Sequence, residues 1–421
     1  MTLRRLADGY IQGMKTRIMK EKEVARIAEL HIKLKAAFEA GDKDYLRSTG
    51  AEFAALKTKT VDELDVMNAS VVYLEVLGNP ENKRHKATDS VLHERVGRVP
   101  PSISGWIRRD PELYMGPLVK ALMAGIYDPF ERVKVIHDWI ADNIRYNFEG
   151  YKTGNVGDNS WVGVLKSGVS VCAGYANLFD HMSNLAGIES KVISGYSKGY
   201  SYDPYEIPEH ESNHAWNAVR ILGRWYLLDV TWDSGYINYF GQSVKAYSSK
   251  YLFTDPLAFL YSHFPESSSD QLLPSPISWD AFLNLPNLMR PYFDLGLSFE
   301  KELPVSVVRI SEHYELKLSL PPGILLSASV FEGKGKAIEQ STLVQPTADK
   351  VTMLARFPEP GKYKIVLFGK KPESKPDRYE ALVSIPIEFS GNGSVMPAFP
   401  LLYRSFYDPG CRLDSPLSRI Q

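Results

Sequence analysis

Residues 214–232 read His214-Ala215-Trp216-Asn217-Ala218-Val219-Arg220-Ile221-Leu222-Gly223-Arg224-Trp225-Tyr226-Leu227-Leu228-Asp229-Val230-Thr231-Trp232. Two runs rich in aromatic and β-branched residues, His214 to Ile221 and Trp225 to Trp232, flank Leu222-Gly223, which is hairpin spacing. A two-residue turn puts Ile221 opposite Arg224, Trp216 opposite Asp229 and His214 opposite Thr231. His214 and Asp229 then share a face as diagonal neighbours, within reach of a His–Asp hydrogen bond. A carboxylate in the apolar run before Val230 is costly to bury without a partner. The plainer readings are a core histidine bonded to backbone and a carboxylate capping the strand end. Asp233 has the same parity as Asp229 and is the rival acid.

Upstream, Cys172 stands in Gly168-Val169-Ser170-Val171-Cys172-Ala173-Gly174-Tyr175-Ala176, where a helix is expected to begin and to run to Ala186 before Gly187. Amide groups and the dipole at a helix start favour a thiolate over a thiol. A lone cysteine is more often a small buried hydrophobe. A cysteine at a helix start, followed by a histidine and a carboxylate on one hairpin face, points instead to a Cys-His-Asp triad. Trp161, Tyr175 and Trp216 are candidates for the substrate wall. Trp161 precedes the nucleophile in the expected loop, and Trp216 lies opposite Asp229. Tyr196, Tyr200, Tyr202 and Tyr205 crowd the segment before His214 as a substrate rim or a self-packed cluster.

A competing motif shares His214. His210-Glu211-Ser212-Asn213-His214 spells H-E-x-x-H, whose zinc chemistry needs both histidines on one face of a helix. Pro204 and Pro208 lie just upstream and a strand follows at once, so no metal site is expected.

Around this centre, Asp128, Pro129 and Glu131 mark the start of a helix with Val133, Ile136, Ile140 and Ile144 on one face. His137 in that helix reads as structural. Residues 1–95 read as a helical region, with Ile27, Leu30, Leu34 and Phe38 at helical spacing, and Gly78 to Lys83 reads as a loop. Residues 96–295 hold the catalytic candidates. From 296 to 395 short alternating runs such as Leu316, Leu318 and Leu320, punctuated by Pro and Gly, read as a β-sandwich, and 396–421 as a tail. Gly361-Lys362-Tyr363 resembles a tyrosine corner.

A formal net charge of -1 argues against a nucleic-acid partner. Two cysteines, Cys172 and Cys411, exclude a disulfide framework or a thiolate zinc cluster, and Cys411 reads as unpaired. No apolar run is long enough to span a membrane, and the first residues lack the apolar core of a secretory signal, which leaves the compartment unknown.

Gly168 to Ala176, Asn213 to Val219 and Trp225 to Trp232 together resemble the transglutaminase-like superfamily. Asp138 to Tyr146, Gly195 to Gly199 and Phe253 to Pro256 resemble its kyphoscoliosis-peptidase branch. The resemblance implies an α+β fold: a papain-like core with the nucleophile helix on a small antiparallel sheet, accompanied by a C-terminal immunoglobulin-like sandwich. It also implies Cys172 as nucleophile, His214 as base and Asp229 as orienting acid, acting on a protein or peptide amide without a cofactor. Water as acceptor gives a peptidase or amidase; a lysine amine gives a protein-crosslinking transglutaminase. A non-catalytic scaffold is the alternative from another class, with a protein partner held by the sandwich or by the N-terminal helices.

Overall fold

The computed structural model describes residue 33 and residues 80–400, apart from 89–91, 207, 239–240, 300–305, 334, 348, 374–378 and 392–397. Most of the expected N-terminal helical region, the first residues of the expected loop at Gly78, and Cys411 lie outside the described residues. The chain divides into two compact units, Met1–Ile193 with Ala215–Thr254, and Ser194–His214 with Asp255–Gln421.

In the first unit, helix α1 (Pro80–Ala87) occupies most of the segment expected to be a loop. Proline suits a first helical position, Glu81 faces the positive end of the helix, and Arg84 reaches back to Glu81 at 2.9 Å. Helix α2 (Pro111–Met123) is capped by Asp110, and α3 (Pro129–Asn143) by Asp128, which accepts from the Phe130 and Glu131 amides as the sequence pattern predicts. Val133, Ile136 and Ile140 are fully buried. Helix α4 (Trp161–Ser167) is capped by Ser160, ends at Gly168 in the left-handed region, and leads into α5 (Cys172–Leu185).

Strand β1 (Glu189–Ser197) starts in this unit. Strands β2 (His214–Ile221) and β3 (Arg224–Leu228) form the predicted hairpin, in register from Ile221 against Arg224 to Asn217 against Leu228. Leu222 and Gly223 both have positive φ, 50° and 80°, the turn geometry that matches strand twist. The second strand does not continue to Trp232. It stops at Leu228 because the Asp229 side chain accepts from the Thr231 and Trp232 amides and starts a single helical turn, α6 (Val230–Asp233). Tyr175, Leu178, Phe179 and Met182 of α5 share one apolar core with Ile136, Ile140, Val219, Ile221 and Leu228, so the helix lies on the antiparallel hairpin. Asn217 Nδ2 donates to the Ala176 carbonyl at 3.1 Å and ties β2 to α5.

In the second unit, the end of β1 pairs antiparallel with β4 (His263–Pro265), Ser197 against His263. The rest is the expected β-sandwich: β5 (Val308–Ile310), β6 (Tyr314–Ser319), β7 (Leu325–Glu332), β8 (Thr342–Pro346), β9 (Lys350–Ala355), β10 (Gly361–Lys370) and β11 (Glu380–Phe389). One sheet runs Ser298–Phe299, β6, β9, β8; the other runs β5, β11, β10, β7 and Ala337–Ile338. Leu316, Leu318, Val351 and Met353 from one face meet Val330, Ile365, Leu367 and Ile385 from the other. Leu288 and Tyr292 belong to this same core, ahead of the boundary expected at 296. Phe399, assigned to the tail, is buried against Leu343 and Leu354 of the sandwich. Tyr363 is buried and its hydroxyl donates to the Glu359 carbonyl at 2.8 Å, the hydrogen bond of a tyrosine corner.

Candidate active site

Cys172 is the first residue of the 14-residue α5, and the residue before it, Val171, has no side chain to cap the helix. Helix entry is tight. Arg145–Tyr146 pairs in parallel with Val169–Ser170, and a Cβ on Gly174 would meet Ser170 Oγ at 2.0 Å, so only glycine fits one turn above the entry. Ser170 Oγ donates to Asn159 Oδ1 at 3.0 Å and Asn177 Nδ2 to the Asn159 carbonyl at 3.0 Å, which ties the segment before α4 to both ends of the first turns of α5.

Asp229 is fully buried in the same unit. Its Oδ1 accepts from Thr231 N at 2.8 Å and Trp232 N at 3.2 Å, its amide donates to the Tyr251 carbonyl at 3.1 Å, and its carbonyl accepts from Asp233 N at 3.2 Å. The strand-end cap weighed from the sequence is thus present, and it fixes the carboxylate in place. Tyr146, ending the short strand beside Ser170, is a residue the sequence reading missed as part of the site. Burial first, then the charges that Cys172, Tyr151 and Asp229 carry when ionised, hold its phenol above the usual range. Its place at the end of the Asp138 to Tyr146 motif was the available signal.

His214 opens β2 and is grouped with the second unit, where it is 9% exposed. Its ring lies 5.5 Å from that of His263, tilted by 44°. His263 is buried, stacks on Phe259, and has Nδ1 2.8 Å from Ser262 Oγ. Nothing in the sequence singled out His263. The residues from Glu209 to Asn213 carry no helix, and His210 stacks on Trp279 at 4.4 Å, so H-E-x-x-H lacks the helix its zinc chemistry needs.

The candidate wall residues fare differently. Tyr175 is fully buried in the core and donates to the Ile144 carbonyl at 2.8 Å, which corrects its assignment to the substrate wall. Trp216 is 1% exposed, too buried to offer a surface to substrate. Trp161 opens α4 rather than lying in a loop, and its ring stacks at 4.1 Å on His181. His181 is nine residues along α5, about 13 Å from Cys172 along the helix axis. Tyr196 and Tyr202 are packed in an apolar cluster and Tyr205 bonds to the Tyr363 and Ile387 carbonyls; Tyr200 is 54% exposed. Asp233, the rival acid, is fully buried with both oxygens engaged inside the first unit, by His137, Ser248 and the Tyr251 amide.

Residues 117–230, which run from α2 through the hairpin, match the transglutaminase-like superfamily, and residues 279–400 match the KY-like, immunoglobulin-like domain. This chain carries a transglutaminase-like domain followed by a KY-like one. It is 33% identical over 184 residues to the kyphoscoliosis peptidase of Mus musculus and 35% identical over 181 residues to that of Homo sapiens. These matches cover 44% and 43% of this chain but 28% and 27% of the two relatives. Hillarin of Drosophila melanogaster is 27% identical over 227 residues, 51% of this chain and 27% of hillarin. The transglutaminase-like match contains Cys172, His214 and Asp229. Among the described residues, no helix is long and apolar enough to cross a membrane.

Proposed function

We propose that the chain is a cysteine-dependent acyl-transfer enzyme, a peptidase or amidase acting on a protein or peptide amide. Cys172 is the nucleophile, His214 holds or takes its proton, and Asp229 orients the imidazole and supports its charged form. Attack on the amide carbonyl forms the thioester and releases the amine, protonated by His214; water then attacks the thioester, releases the acid and returns the thiol. The observation that carries the reading is Cys172 as first residue of the 14-residue α5, preceded by Val171, which makes no side-chain cap hydrogen bond. The hairpin supports it: one step beyond the last ladder pair, Asp229 falls opposite Trp216, and His214 has the same parity on β2. That two relatives are named peptidases supports water over a lysine amine as acceptor. The β-sandwich or the N-terminal region is proposed to hold a protein partner.

Mass spectrometry after brief iodoacetamide treatment tests the reading, with Cys411 as internal reference. Selective modification of Cys172 at pH 6, well below the ordinary thiol pKa of about 8.5, is expected. Equal rates at the two cysteines, or an ordinary thiol profile at Cys172, favour a scaffold instead.

A further inference from the structure

Beneath Asp229 lies a cluster of buried charges that the reaction above does not use. His137 Nδ1 is 2.8 Å from Asp138 Oδ1, and His137 Nε2 is 3.0 Å from Asp233 Oδ2. Both carboxylates accept, so both ring nitrogens carry protons and the ring is an imidazolium. Lys134 Nζ lies 2.8 Å from Asp138 Oδ2, the Tyr247 hydroxyl donates to Asp138 Oδ1 at 2.7 Å, and the His93 amide donates to Asp138 Oδ2 at 2.7 Å. Two cations thus balance two anions, and His137, Asp138 and Asp233 have no exposed surface. Burying an ion pair is weak support for stability, because an apolar cluster of the same volume does as well. Its location says more.

We propose that His137 and Asp233 form a positioning pair for the Asp229 carboxylate, acting through the backbone of Tyr251. The inference rests on Asp229 being the orienting acid. The route is short. Asp233 Oδ2, held by His137, also accepts from the Tyr251 amide at 3.0 Å, and the Tyr251 carbonyl accepts from the Asp229 amide at 3.1 Å. From the other side, the Asp233 amide donates to the Asp229 carbonyl at 3.2 Å, and the Ser248 amide donates to the Asp233 carbonyl at 2.8 Å. Ser248 Oγ donates to Asp233 Oδ1. Both backbone groups of Asp229 are therefore held by Asp233 or by the residue Asp233 holds. The turn between them, α6, has four residues, too few to persist as a helix without outside support. A small shift of a carboxylate that orients a catalytic base is expensive in rate.

The experiment follows the pH profile of Cys172 alkylation in the full chain, with circular dichroism as the check on folding. The variants are Asp233→Asn, Ser248→Ala and Asp229→Asn. In wild type, alkylation remains fast at pH 6. Asp233→Asn is expected to slow alkylation at pH 6 by about tenfold to a hundredfold and to move the profile towards that of Asp229→Asn. Ser248→Ala, which removes one hydroxyl from Asp233, shifts it the same way by less and carries the test if Asp233→Asn does not fold. Folded Asp233→Asn or Ser248→Ala with a wild-type profile, beside a shifted Asp229→Asn, overturns the positioning pair and leaves the triad standing. A wild-type profile centred near the ordinary thiol value overturns the triad itself, and the pair with it.

Discussion

Asp233 Oδ2 accepts a hydrogen bond from His137 Nε2 at 3.0 Å, and neither side chain reaches solvent. Burial alone pushes the His137 pKa down, but the hydrogen bonds and charges of Asp138 and Asp233 outweigh it and raise the value to about 9 from 6.5. His137, with Lys134, holds Asp138 below the carboxylate range against the opposing effect of its own burial. The histidine of the α3 motif is thus the charged centre of a closed network.

Its charge gives the first prediction. The folded pKa lies above the unfolded one, so the His137 contribution to stability is complete below about pH 6.5 and is lost as pH rises through 9. Burial lowers Lys198 to about 7 and Lys245 to about 8 from 10.5, and both act in the opposite direction, gaining stability as pH rises. The wild-type curve alone mixes these effects. Urea denaturation of wild type and His137→Gln across pH 6 to 9.5 separates them. The stability difference should shrink by as much as about 3 kcal/mol towards high pH. A difference that stays constant across this range contradicts a charged His137.

The second prediction concerns the nucleophile. Cys172→Ala removes the thiol with little change in volume, so stability should move by about 1 kcal/mol or less while amidase or crosslinking activity disappears. Activity measured on a peptide amide, beside a melting curve, checks both halves. Retained turnover rules out the proposed chemistry.

Asp229 caps α6 and, in the proposed reaction, orients His214; these separable roles give the third prediction. Asparagine caps a helix about as well as aspartate, so Asp229→Asn should keep α6 and the fold while most of the rate is lost through misorientation of His214. Asp229→Ala loses the cap as well, and should cost about 1 kcal/mol more in stability than the asparagine variant. Equal melting points for the two variants would show that the two hydrogen bonds from the Thr231 and Trp232 amides contribute little.

The hairpin, its register, the caps at Asp128 and the tyrosine corner were legible in the sequence because each depends on neighbours within a few residues. The helix at Pro80–Ala87 was not, since its polar composition reads as a loop and its fixing contact, Arg84 Nη1 to the Phe253 carbonyl at 2.9 Å, comes from far along the chain. The end of β3 was misplaced for a related reason. An apolar run favours extending a strand, and the capping carboxylate that stops it looks from sequence like a carboxylate on a strand face. Tyr175 and Trp216 are aromatic residues next to the candidate triad in sequence, yet their rings turn into the core. Side-chain direction on a helix or strand decides between wall and core, and that depends on packing from other elements. His263 and the partnership of His137 with Asp233 depend on long-range packing too, and local pattern is blind to it.

The hairpin turn supplies the last prediction. Leu222 has φ of 50°, a region that costs a residue with a side chain roughly 1 kcal/mol and a β-branched one more. The turn nonetheless keeps leucine, whose side chain is partly buried against the core shared by α5 and the hairpin. Two substitutions separate the backbone from the side chain. Leu222→Asn suits the left-handed conformation but gives up the apolar contact. Leu222→Val keeps an apolar group but resists positive φ. If the backbone governs the turn, the valine variant should be less stable than the asparagine variant by about 1 kcal/mol or more. Chemical denaturation of the two proteins measures the order directly. The reverse order would mean that apolar contact outweighs turn geometry at Leu222, and the hairpin register from Ile221–Arg224 to Asn217–Leu228 would then depend on core packing more than on the turn.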